Sequence, residues 1–464
     1  MATRRNSSAT LAAFEAPIPS PQDRRAAGKK LRSTLPRAGH ATWEPPVDRR
    51  DPIEVLIESN RNRVEDLVPL RYARMSVSPF TFLRGSAQVM AYDLASAPST
   101  SLEVRLCGDA HLSNFGVFAS PERRLMFDLN DFDEASPGPF EWDVKRLAAS
   151  IVVAGRDNGF DAIATRRAVL DAVAAYRDWM ERYAAMTHLE VWYARIEMRD
   201  LLDTVTAARR KDATRLIEKV ESKNHVKAFS KLTTIIDGRR QILDDPPVLV
   251  HLGNEIPNLT NRLIKVFSRY RESLSSDRQE LFDRYRFVDF ARKVVGVGSV
   301  GTRCWIALFQ GPNGGPLFLQ VKEARQSVIS IARGTPPAPH FGKRVVEGQR
   351  ALQAASDVML GWATDETAGN HVHYYVRQLW DCKWSVDVAA MGPFELGLYA
   401  GHCGWALARA HARTGDSVAI HGYIGNSERF GEAIADWATA YADQTERDHA
   451  ALLAAIERGV LPTA

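Results

Sequence analysis

The sequence predicts an α+β protein with two lobes, and not a chain of alternating strand–helix–strand units. Its 464 residues are about three times the length of a typical domain. Helical patterns with one apolar stripe occupy the middle and the end of the chain, and three strand patterns follow one another near residue 300. We therefore expect four segments: a disordered basic tail (1–45), a mostly helical large lobe (46–290), a β-rich small lobe (291–385) and helices that complete the large lobe (386–464).

Composition and charge narrow the class of protein. Apolar residues make up 45% and charged residues 25%, which excludes a disordered, collagen-like or disulfide-rich chain. A formal charge of +4 gives no reason to expect a nucleic-acid or membrane partner. The four cysteines are far apart, and no apolar run approaches the roughly 18 residues of a membrane span. We expect a reduced, cytoplasmic protein.

The elements of the large lobe follow from local patterns. Residues 1–45 are rich in Ala, Ser, Pro and Arg and have few large apolar side chains. Helices are predicted from Asp51 toward Val68 and over residues 80–95. Two strand patterns then end in polar residues, at SLEVRLCGDAH and RRLMFDLNDFDE. WDVKRLAASIVVAG indicates a buried helix, and residues 161–290 are predicted to be mostly helical.

The small lobe is predicted from strand and hairpin signals. KVVGVGSVG, TRCWIALFQ and PLFLQVKEA each have the composition of a strand. GPNGG between the last two indicates a hairpin, because Asn and Gly accept a positive φ. A helix over residues 345–359 and a strand at HVHYYVRQLW follow. From Pro393 onward the chain is predicted to be helical, with an apolar stripe that includes Trp437.

The loop GDAHLSN, residues 108–114, is the first candidate site. It follows a predicted strand and carries Asp109, which can accept a proton, and Asn114, which can ligate a cation. Asp and Asn are also favoured in ordinary polar turns, so the loop taken alone leaves both interpretations open.

The run DLNDFDE, residues 128–134, is the second candidate site. Its four carboxylates within seven residues repel one another unless a cation or a basic group lies among them. A hard divalent cation with oxygen ligands is the natural partner. A solvated acidic turn is the alternative, although such turns usually lack the apolar strand LMF that precedes this run.

A glycine-rich loop and a lysine form the third group of candidates. Gly296, Gly298, Ser299 and Gly301 would let backbone amides approach a phosphate closely. A dinucleotide-binding loop would open a helix, whereas a strand pattern follows here, so that interpretation is excluded. Lys322 projects from the next predicted strand and can reach phosphate oxygens. An exposed strand lysine is the alternative.

Together these groups are the parts that phosphoryl transfer requires: a glycine-rich loop, a strand lysine, a catalytic acid with an Asn five residues later, and a metal-binding Asp. CGDAHLSNFG followed by NDFDE is similar to the aminoglycoside-phosphotransferase branch of the protein-kinase-like superfamily. The resemblance implies a two-lobed kinase-like fold that binds ATP and Mg²⁺. It implies Asp109 as the catalytic base, and Asn114 and Asp131 as magnesium ligands. Asp128 is the alternative ligand, because the alignment slides by three residues. Asp143, in the following helix, would be the structural acid of that family.

The chain also resembles an uncharacterised bacterial family, domain of unknown function 2252, from about Arg24 to Trp437. The stretches that carry this resemblance include RYARMSVSPFTFLRG, LCGDAHLSNFGVF, FDLNDFDEASPGPFEWDVKRLAAS, KVVGVGSVGTR, LFLQVKEA and VVEGQRALQAASD. The family brings no established activity.

The order of the motifs differs from that of ordinary kinases, in which the glycine loop precedes the catalytic loop. A circular permutation accounts for this order, with GLYAGHCGWALARAHA as the helix that normally leads into the catalytic loop. Cys107 replaces the first His of the family motif, and Arg303 stands where kinases usually have a Val over the adenine. We expect Glu347, on the predicted helix, to pair with Lys322. Arg74 and Arg84 would bind an anionic substrate or would pair with the acids at 131–134.

The resulting hypothesis is a Mg²⁺-ATP-dependent phosphotransferase whose acceptor is unidentified. The expected small-molecule partner is a nucleotide triphosphate, held by the glycine loop and Lys322 of a nucleotide-binding small lobe. Three alternatives stay open: a nucleotide-binding regulatory protein without turnover, a nucleotidyl transferase, and a metal-dependent hydrolase that uses the carboxylates and His111.

Overall fold

The computed structural model describes residues 16–202, 215, 229, 232–236, 239–251, 259–366, 371–379 and 383–463. Within these residues the fold is α+β, as the sequence predicts. The helices are α1 (Pro21–Lys30), α2 (Pro52–Ser59), α3 (Val68–Met75), α4 (Pro79–Gly85), α5 (Ala87–Ser96), α6 (Glu141–Asp157), α7 (Ala162–Ala184), α8 (His188–Tyr193), α9 (Met198–Leu202), α10 (Leu259–Glu272), α11 (Ser276–Phe282), α12 (Val328–Ala332), α13 (Phe341–Leu352), α14 (Pro393–Thr414), α15 (Ser417–Ile424) and α16 (Arg429–Glu457). The strands are β1 (Glu103–Leu106), β2 (Phe115–Ala119), β3 (Leu125–Leu129), β4 (Ser136–Pro139), β5 (Thr233–Ile236), β6 (Arg239–Ile242), β7 (Leu249–Val250), β8 (Arg286–Lys293), β9 (Cys304–Gln310), β10 (Pro316–Ala324), β11 (Gly361–Asp365), β12 (Val372–Gln378) and β13 (Trp384–Ser385).

The large lobe is built around helix α6, which is buried along almost its whole length. Helices α7, α14 and α16 pack around it. The predicted stripe from Val169 to Tyr183 is confirmed as part of this core, and so is Trp437 on α16. Burial of these stripes is the main force that holds the helices together, because each is polar on its other face.

Two short antiparallel ladders in the large lobe position the first two candidate sites. Leu106 of β1 pairs with Ser136 of β4, and Phe115 of β2 pairs with Leu129 of β3. The loop from 107 to 114 and the loop from 130 to 135 therefore share both of their ends and lie side by side. The sequence did not predict β2, because its five residues are nearly all buried and show no alternation.

The small lobe is an antiparallel sheet which, in the described part of the chain, has the strand order β11-β12-β10-β9-β8-β7. The predicted hairpin between β9 and β10 is confirmed, with Asn313 at φ 57° and Gly314 at φ 77° in its turn. KVVGVGSVG is not a strand beyond Lys293, and residues 294–303 form a loop between β8 and β9. Helix α13 ends at Leu352, earlier than predicted.

The small lobe also begins earlier in the chain than the predicted residue 291. Strands β7 and β8 are the last two members of its sheet. Helix α10 packs on β11, and its Phe267 and Tyr270 share a core with Phe309 and Leu319. The expectation that residues 161–290 are mostly helical therefore fails at β5 to β8.

The predicted disordered tail is ordered over residues 16–45, and residues 1–15 lie outside the described residues. Helix α1 begins at a Ser20 cap and packs on α15 so closely that a Cβ on Gly28 would lie 1.9 Å from the Ala419 carbonyl oxygen. Arg24 binds Asp416 through two hydrogen bonds. The segment folds because α15 provides the partners that it lacks alone.

Among the described helices, none has the length and apolarity to cross a membrane. Cys107, Cys304 and Cys403 are buried free thiols. Cys382 lies outside the described residues.

Candidate active site

A cleft of about 730 Å³ brings the predicted loops together. Asp109, Asn114 and Asp131 line it on the side of the large lobe. The glycine loop lines it on the side of the small lobe, through Gly296, Gly298 and Ser299. Helices α2 to α5 supply a further wall, which the sequence did not predict.

The loop of residues 107–114 is held through its backbone N–H groups. Asp143 of α6 accepts hydrogen bonds from the N–H groups of Cys107 (2.7 Å) and Gly108 (3.0 Å). Gly108 has a φ of 81°, and a Cβ there would lie 2.4 Å from the Glu134 carbonyl oxygen, so only glycine fits. Asp143 thus forms the backbone contacts expected of a structural acid.

Asp109 has one carboxylate oxygen engaged and one available. The Nε and Nη2 atoms of Arg146 both donate to its Oδ1, at 2.9 and 2.6 Å. The Nε2 atom of His111 lies 3.6 Å from Oδ2. Burial raises the pKa of Asp109, and the Arg146 guanidinium opposes that rise. A carboxylate held in place with one free oxygen can accept a proton.

Asn114 is oriented by the same loop. Its Nδ2 donates to the Asp109 carbonyl oxygen at 2.7 Å. The amide nitrogen is therefore engaged, and the amide oxygen is the atom left for a ligand. Asn114 and Asp131 share the cleft wall, so both can offer oxygen atoms to a cation there.

Lys322 forms a charge cluster with the acidic run. Its Nζ contacts Asp133 and lies 3.9 Å from Asp131 Oδ2. Burial alone would raise the pKa of Asp131, but Lys322 and Arg377 hold it below its usual value. Burial would lower the pKa of Lys322, and the two carboxylates together raise it well above its usual value. The lysine is therefore charged, and so is Asp131.

The expected pair between Lys322 and Glu347 does not form. Glu347 lies on the outer face of α13 with half of its side chain exposed, and its Oε1 is 3.7 Å from Lys343 Nζ. Asp133 occupies the position of lysine partner instead. Helix α13 fastens that acid through Arg344, whose Nη2 donates to the Asp133 carbonyl oxygen at 2.5 Å.

Asp128, the alternative metal ligand, lies behind the cleft and is fully buried. Arg409 of α14 donates to both of its carboxylate oxygens, at 2.7 and 2.8 Å. The N–H groups of Leu129 and Ala354 donate to the two oxygens as well. Asp128 does not line the cleft and forms a buried ion pair with Arg409, whereas Asp131 lines the cleft.

The glycine loop is fastened through its carbonyl groups. Arg63 donates to the carbonyl oxygens of Gly298 (2.9 Å) and Val300 (2.5 Å), and Arg74 donates to that of Gly296 (2.6 Å). The φ values of Gly296 (64°) and Gly301 (84°) place both residues in the left-handed region. The N–H groups of residues 296–299 donate no hydrogen bond to the described part of the chain. Free amides in a glycine loop can bind phosphate oxygens.

A family model described as an uncharacterized protein conserved in bacteria (DUF2252) matches residues 63–455. The chain belongs to this family. No curated protein and no solved structure matches the chain.

The region matched to the DUF2252 family includes Arg63, Asp109, Asn114, Asp131 and the glycine loop of the cleft. Three of its important residues were not predicted as part of the site. Arg146 follows Asp143 by three residues on α6, and this helical spacing is a signal that it faces the same loop. The sequence identified Asp133 only as one of the four acids in residues 128–134, without a role of its own. No pattern near Arg63 in the sequence indicated its role, because the carbonyl groups of the glycine loop that it binds lie more than 200 residues away.

Neither Arg74 nor Arg84 pairs with the acids at 131–134. Arg74 binds the glycine loop instead. Arg84 lines the cleft, and its buried Nε has no acceptor in the described part of the chain. The two interpretations of these arginines from the sequence are therefore separated: Arg74 has a structural contact, and Arg84 has unused donors.

Proposed function

We propose that the protein is a Mg²⁺-ATP-dependent phosphotransferase with a circularly permuted protein-kinase-like fold. The observation that carries the proposal is the single cleft that gathers a glycine loop with free amides, a charged Asp131 beside Lys322, and an Asp109 with one free oxygen. Catalysis of phosphoryl transfer consists mostly of positioning and electrostatic stabilisation, and these groups supply both.

The arrangement of the small lobe supports the kinase-like fold. The glycine loop joins β8 to β9, and Lys322 lies on β10, the next strand of the antiparallel sheet. In protein kinases a glycine-rich loop likewise covers the phosphates and the lysine lies on the third strand. The match in order and pairing favours a nucleotide site under this sheet.

The contact between α14 and β1 supports the permutation. Thr414 Oγ1, at the end of α14, accepts a hydrogen bond from the N–H of Arg105 at 3.2 Å. A Cβ on Gly415 would lie 2.6 Å from Val104 Cγ1. The end of α14 therefore meets the strand that leads into the catalytic loop, although more than 300 residues separate them. A permuted chain keeps such a neighbourhood while its connections change.

The oxygen donors at the cleft fit magnesium brought in with a nucleotide. Asn114 and Asp131 would hold it, because the first offers an amide oxygen and the second an ionised carboxylate. Among the described residues, no group of three or more His, Cys, Asp and Glu is suited to hold a metal ion unaided. Mg²⁺ commonly takes one or two protein ligands with substrate phosphates and water. Bound there, it would neutralise charge on the transferred phosphoryl group.

Asp109 is the proposed base. Its Oδ2 would take the proton of an acceptor hydroxyl while Arg146 holds Oδ1. The acceptor oxygen forms a bond to the γ-phosphorus, and the bond from that phosphorus to the β–γ bridging oxygen breaks, which releases ADP. We expect this reaction to take place in the cytoplasm, because the described cysteines are free thiols.

The test is a calorimetric titration of ATP with magnesium into the wild type and into Lys322→Ala and Asp131→Ala. We expect saturable binding to the wild type and at least tenfold weaker binding to both variants. Lys322→Ala loses a cation beside the phosphates, and Asp131→Ala loses a ligand of the magnesium ion that accompanies them. Glu347→Ala is the matched control, since this exposed acid lies outside the cleft, and its affinity should equal that of the wild type.

Two outcomes would count against the proposal. A folded wild type that binds no ATP, with or without magnesium, contradicts the proposal. Binding that neither variant weakens would place the nucleotide elsewhere.

A further inference from the structure

Arg84 is a half-buried cation without an anionic partner in the described part of the chain. It lies in the last turn of α4 and lines the cleft. Its Nε is buried and has no acceptor, and it forms no ion pair with a described residue. Burial lowers the pKa of Arg84, and Asp109 opposes that effect without contacting it. A half-buried guanidinium with an unpartnered Nε on the wall of a cleft is a group to which an anionic ligand can bind.

Other buried or half-buried arginines in and beside the cleft have their partners within the chain. Arg63 binds carbonyl groups of the glycine loop. Arg303 and Arg325 both bind Glu323. Arg146 binds Asp109. A general excess of arginine therefore does not explain the unused donors of Arg84.

The backbone around Arg84 is fixed on both sides. The carbonyl oxygen of Leu83 accepts from Arg146 Nη2 at 2.7 Å, and that of Gly85 accepts from Arg71 Nη2 at 2.8 Å. A Cβ on Gly298 would lie 3.1 Å from the Arg84 carbonyl oxygen. Arg84 is thus presented by a rigid turn that touches the partner of the proposed base and the glycine loop.

Two further features beside Arg84 suit an anion. The first turn of α5, at Ser86, Ala87 and Gln88, lines the same cleft, and no side chain caps it. The start of a helix attracts negative charge through its free N–H groups and its dipole. His111 also lines the cleft, is only 3% exposed, and has no partner at Nδ1. Arg84 and the first turn of α5 therefore line the same cleft as Asp109.

We propose that the acceptor substrate carries an anionic group, a phosphate or a carboxylate, which binds Arg84 and the first turn of α5. This inference rests on the proposed phosphotransferase activity and names the class of its acceptor. The anion would anchor the acceptor so that its hydroxyl lies at Asp109. The hydroxyl oxygen then bonds to the γ-phosphorus, its proton passes to Asp109 Oδ2, and the electron pair of the broken bond leaves with ADP.

The γ-phosphate of the nucleotide is the competing ligand for Arg84. The charged neighbours favour the acceptor. Arg84 follows Leu83, whose carbonyl oxygen accepts from the same Arg146 Nη2 that binds Asp109. Lys322 instead interacts with Asp131, Asp133 and Arg377. Arg84 therefore stands on the side of the base, and Lys322 on the side of the proposed metal ligand.

The test uses the full chain saturated with a non-hydrolysable ATP analogue and magnesium, so that the γ-phosphate site is filled. Inorganic phosphate, and separately acetate, are titrated into the wild type, Arg84→Gln, Arg84→Lys and Arg61→Gln. We expect the wild type to bind at least one anion, Arg84→Gln to bind it at least tenfold more weakly, and Arg84→Lys to lie between them. Arg61→Gln, an exposed arginine of the same cleft, should match the wild type. The stronger anion identifies the group.

The nucleotide titration separates the two proposals. Affinity for the analogue should stay within twofold in all variants. If Arg84→Gln weakens the analogue and not the anion, Arg84 belongs to the γ-phosphate, and the inference is overturned. If the wild type with bound analogue takes up neither anion, the inference also fails. If the wild type binds anions through Arg84 but no nucleotide, the proposed function fails while the anion site stands. Should Arg84→Gln not fold, Arg84→Lys carries the same comparison.

Discussion

Two aspartate–arginine pairs in this protein differ in how many of their carboxylate oxygens accept hydrogen bonds. Behind the cleft, both oxygens of Asp128 accept hydrogen bonds, from Arg409 and from two backbone N–H groups. In the cleft, Arg146 binds only Oδ1 of Asp109. Both acids are ion-paired, so pairing alone does not separate structure from function. The pairs differ because Asp109, on the wall of the cleft, keeps Oδ2 without a hydrogen-bond donor from Arg146.

Asp128→Asn should have the largest effect on stability. An amide group in this position replaces one acceptor with a donor that faces the Ala354 or Leu129 N–H, and it leaves the buried Arg409 without a counter-charge. Breaking a buried pair of this kind costs about 3–5 kcal/mol. Urea unfolding of the variant should show this loss of free energy.

Asp109→Asn is the matched comparison, because it is the same substitution at the other pair. The amide oxygen can still accept from Arg146, and the Asp109 side chain is 20% exposed whereas that of Asp128 is fully buried. The free energy of unfolding should therefore fall by less than in Asp128→Asn, by about 1.5–3 kcal/mol. A loss as large as that of Asp128→Asn would show that both pairs are structural and would remove the contrast.

Asp109→Asn should have its main effect on turnover. The amide nitrogen that replaces Oδ2 cannot accept a proton, and loss of a general base costs about 10²–10⁴ in rate. ADP release from ATP, with water as the acceptor, measures this effect. Asp109→Asn should lose at least 10² in turnover and keep its affinity for ATP. Full turnover would show that Asp109 is not the base.

Glu134 offers a smaller test at the edge of the cleft. Its Oε2 accepts from the Val328 N–H at 2.7 Å, and burial raises its pKa to about 7, against the opposing charge of Arg344. The folded state therefore binds more protons than the unfolded state between pH 4.5 and pH 7. Stability contributed by this group is fully present below pH 4.5 and declines as pH rises to 7, by about 2–3 kcal/mol.

Glu134→Gln should remove that part of the pH dependence, because the amide does not titrate and still accepts from Val328. Unfolding free energies at pH 5 and pH 7 for the variant and the wild type make the comparison. An identical slope in both proteins would show that Glu134 is ionised throughout this range.

Local patterns accounted for much of the fold. The hairpin between β9 and β10, strand β12 and the helices after Pro393 were predicted, because turn residues, alternation and helical stripes are properties of neighbouring residues. The predictions failed for the docking of α1 on α15 and for the short strands β2 and β7. These elements depend on partners distant in the chain, which supply the burial that their own sequences lack.

In the candidate site, too, some residues were identified from the sequence and others only from the structure. Sequence spacing was sufficient to single out Asp109, Asn114, the acidic run, the glycine loop and Lys322, because each chemistry needs particular residue types close together in the chain. It could not choose between Asp128 and Asp131, or assign Asp133 rather than Glu347 to Lys322. Those choices depend on which side of a strand faces Arg409 and on an ion pair between residues 189 positions apart. Burial and charge act through space, so folding was needed to settle which acids are satisfied and which stay open to a ligand.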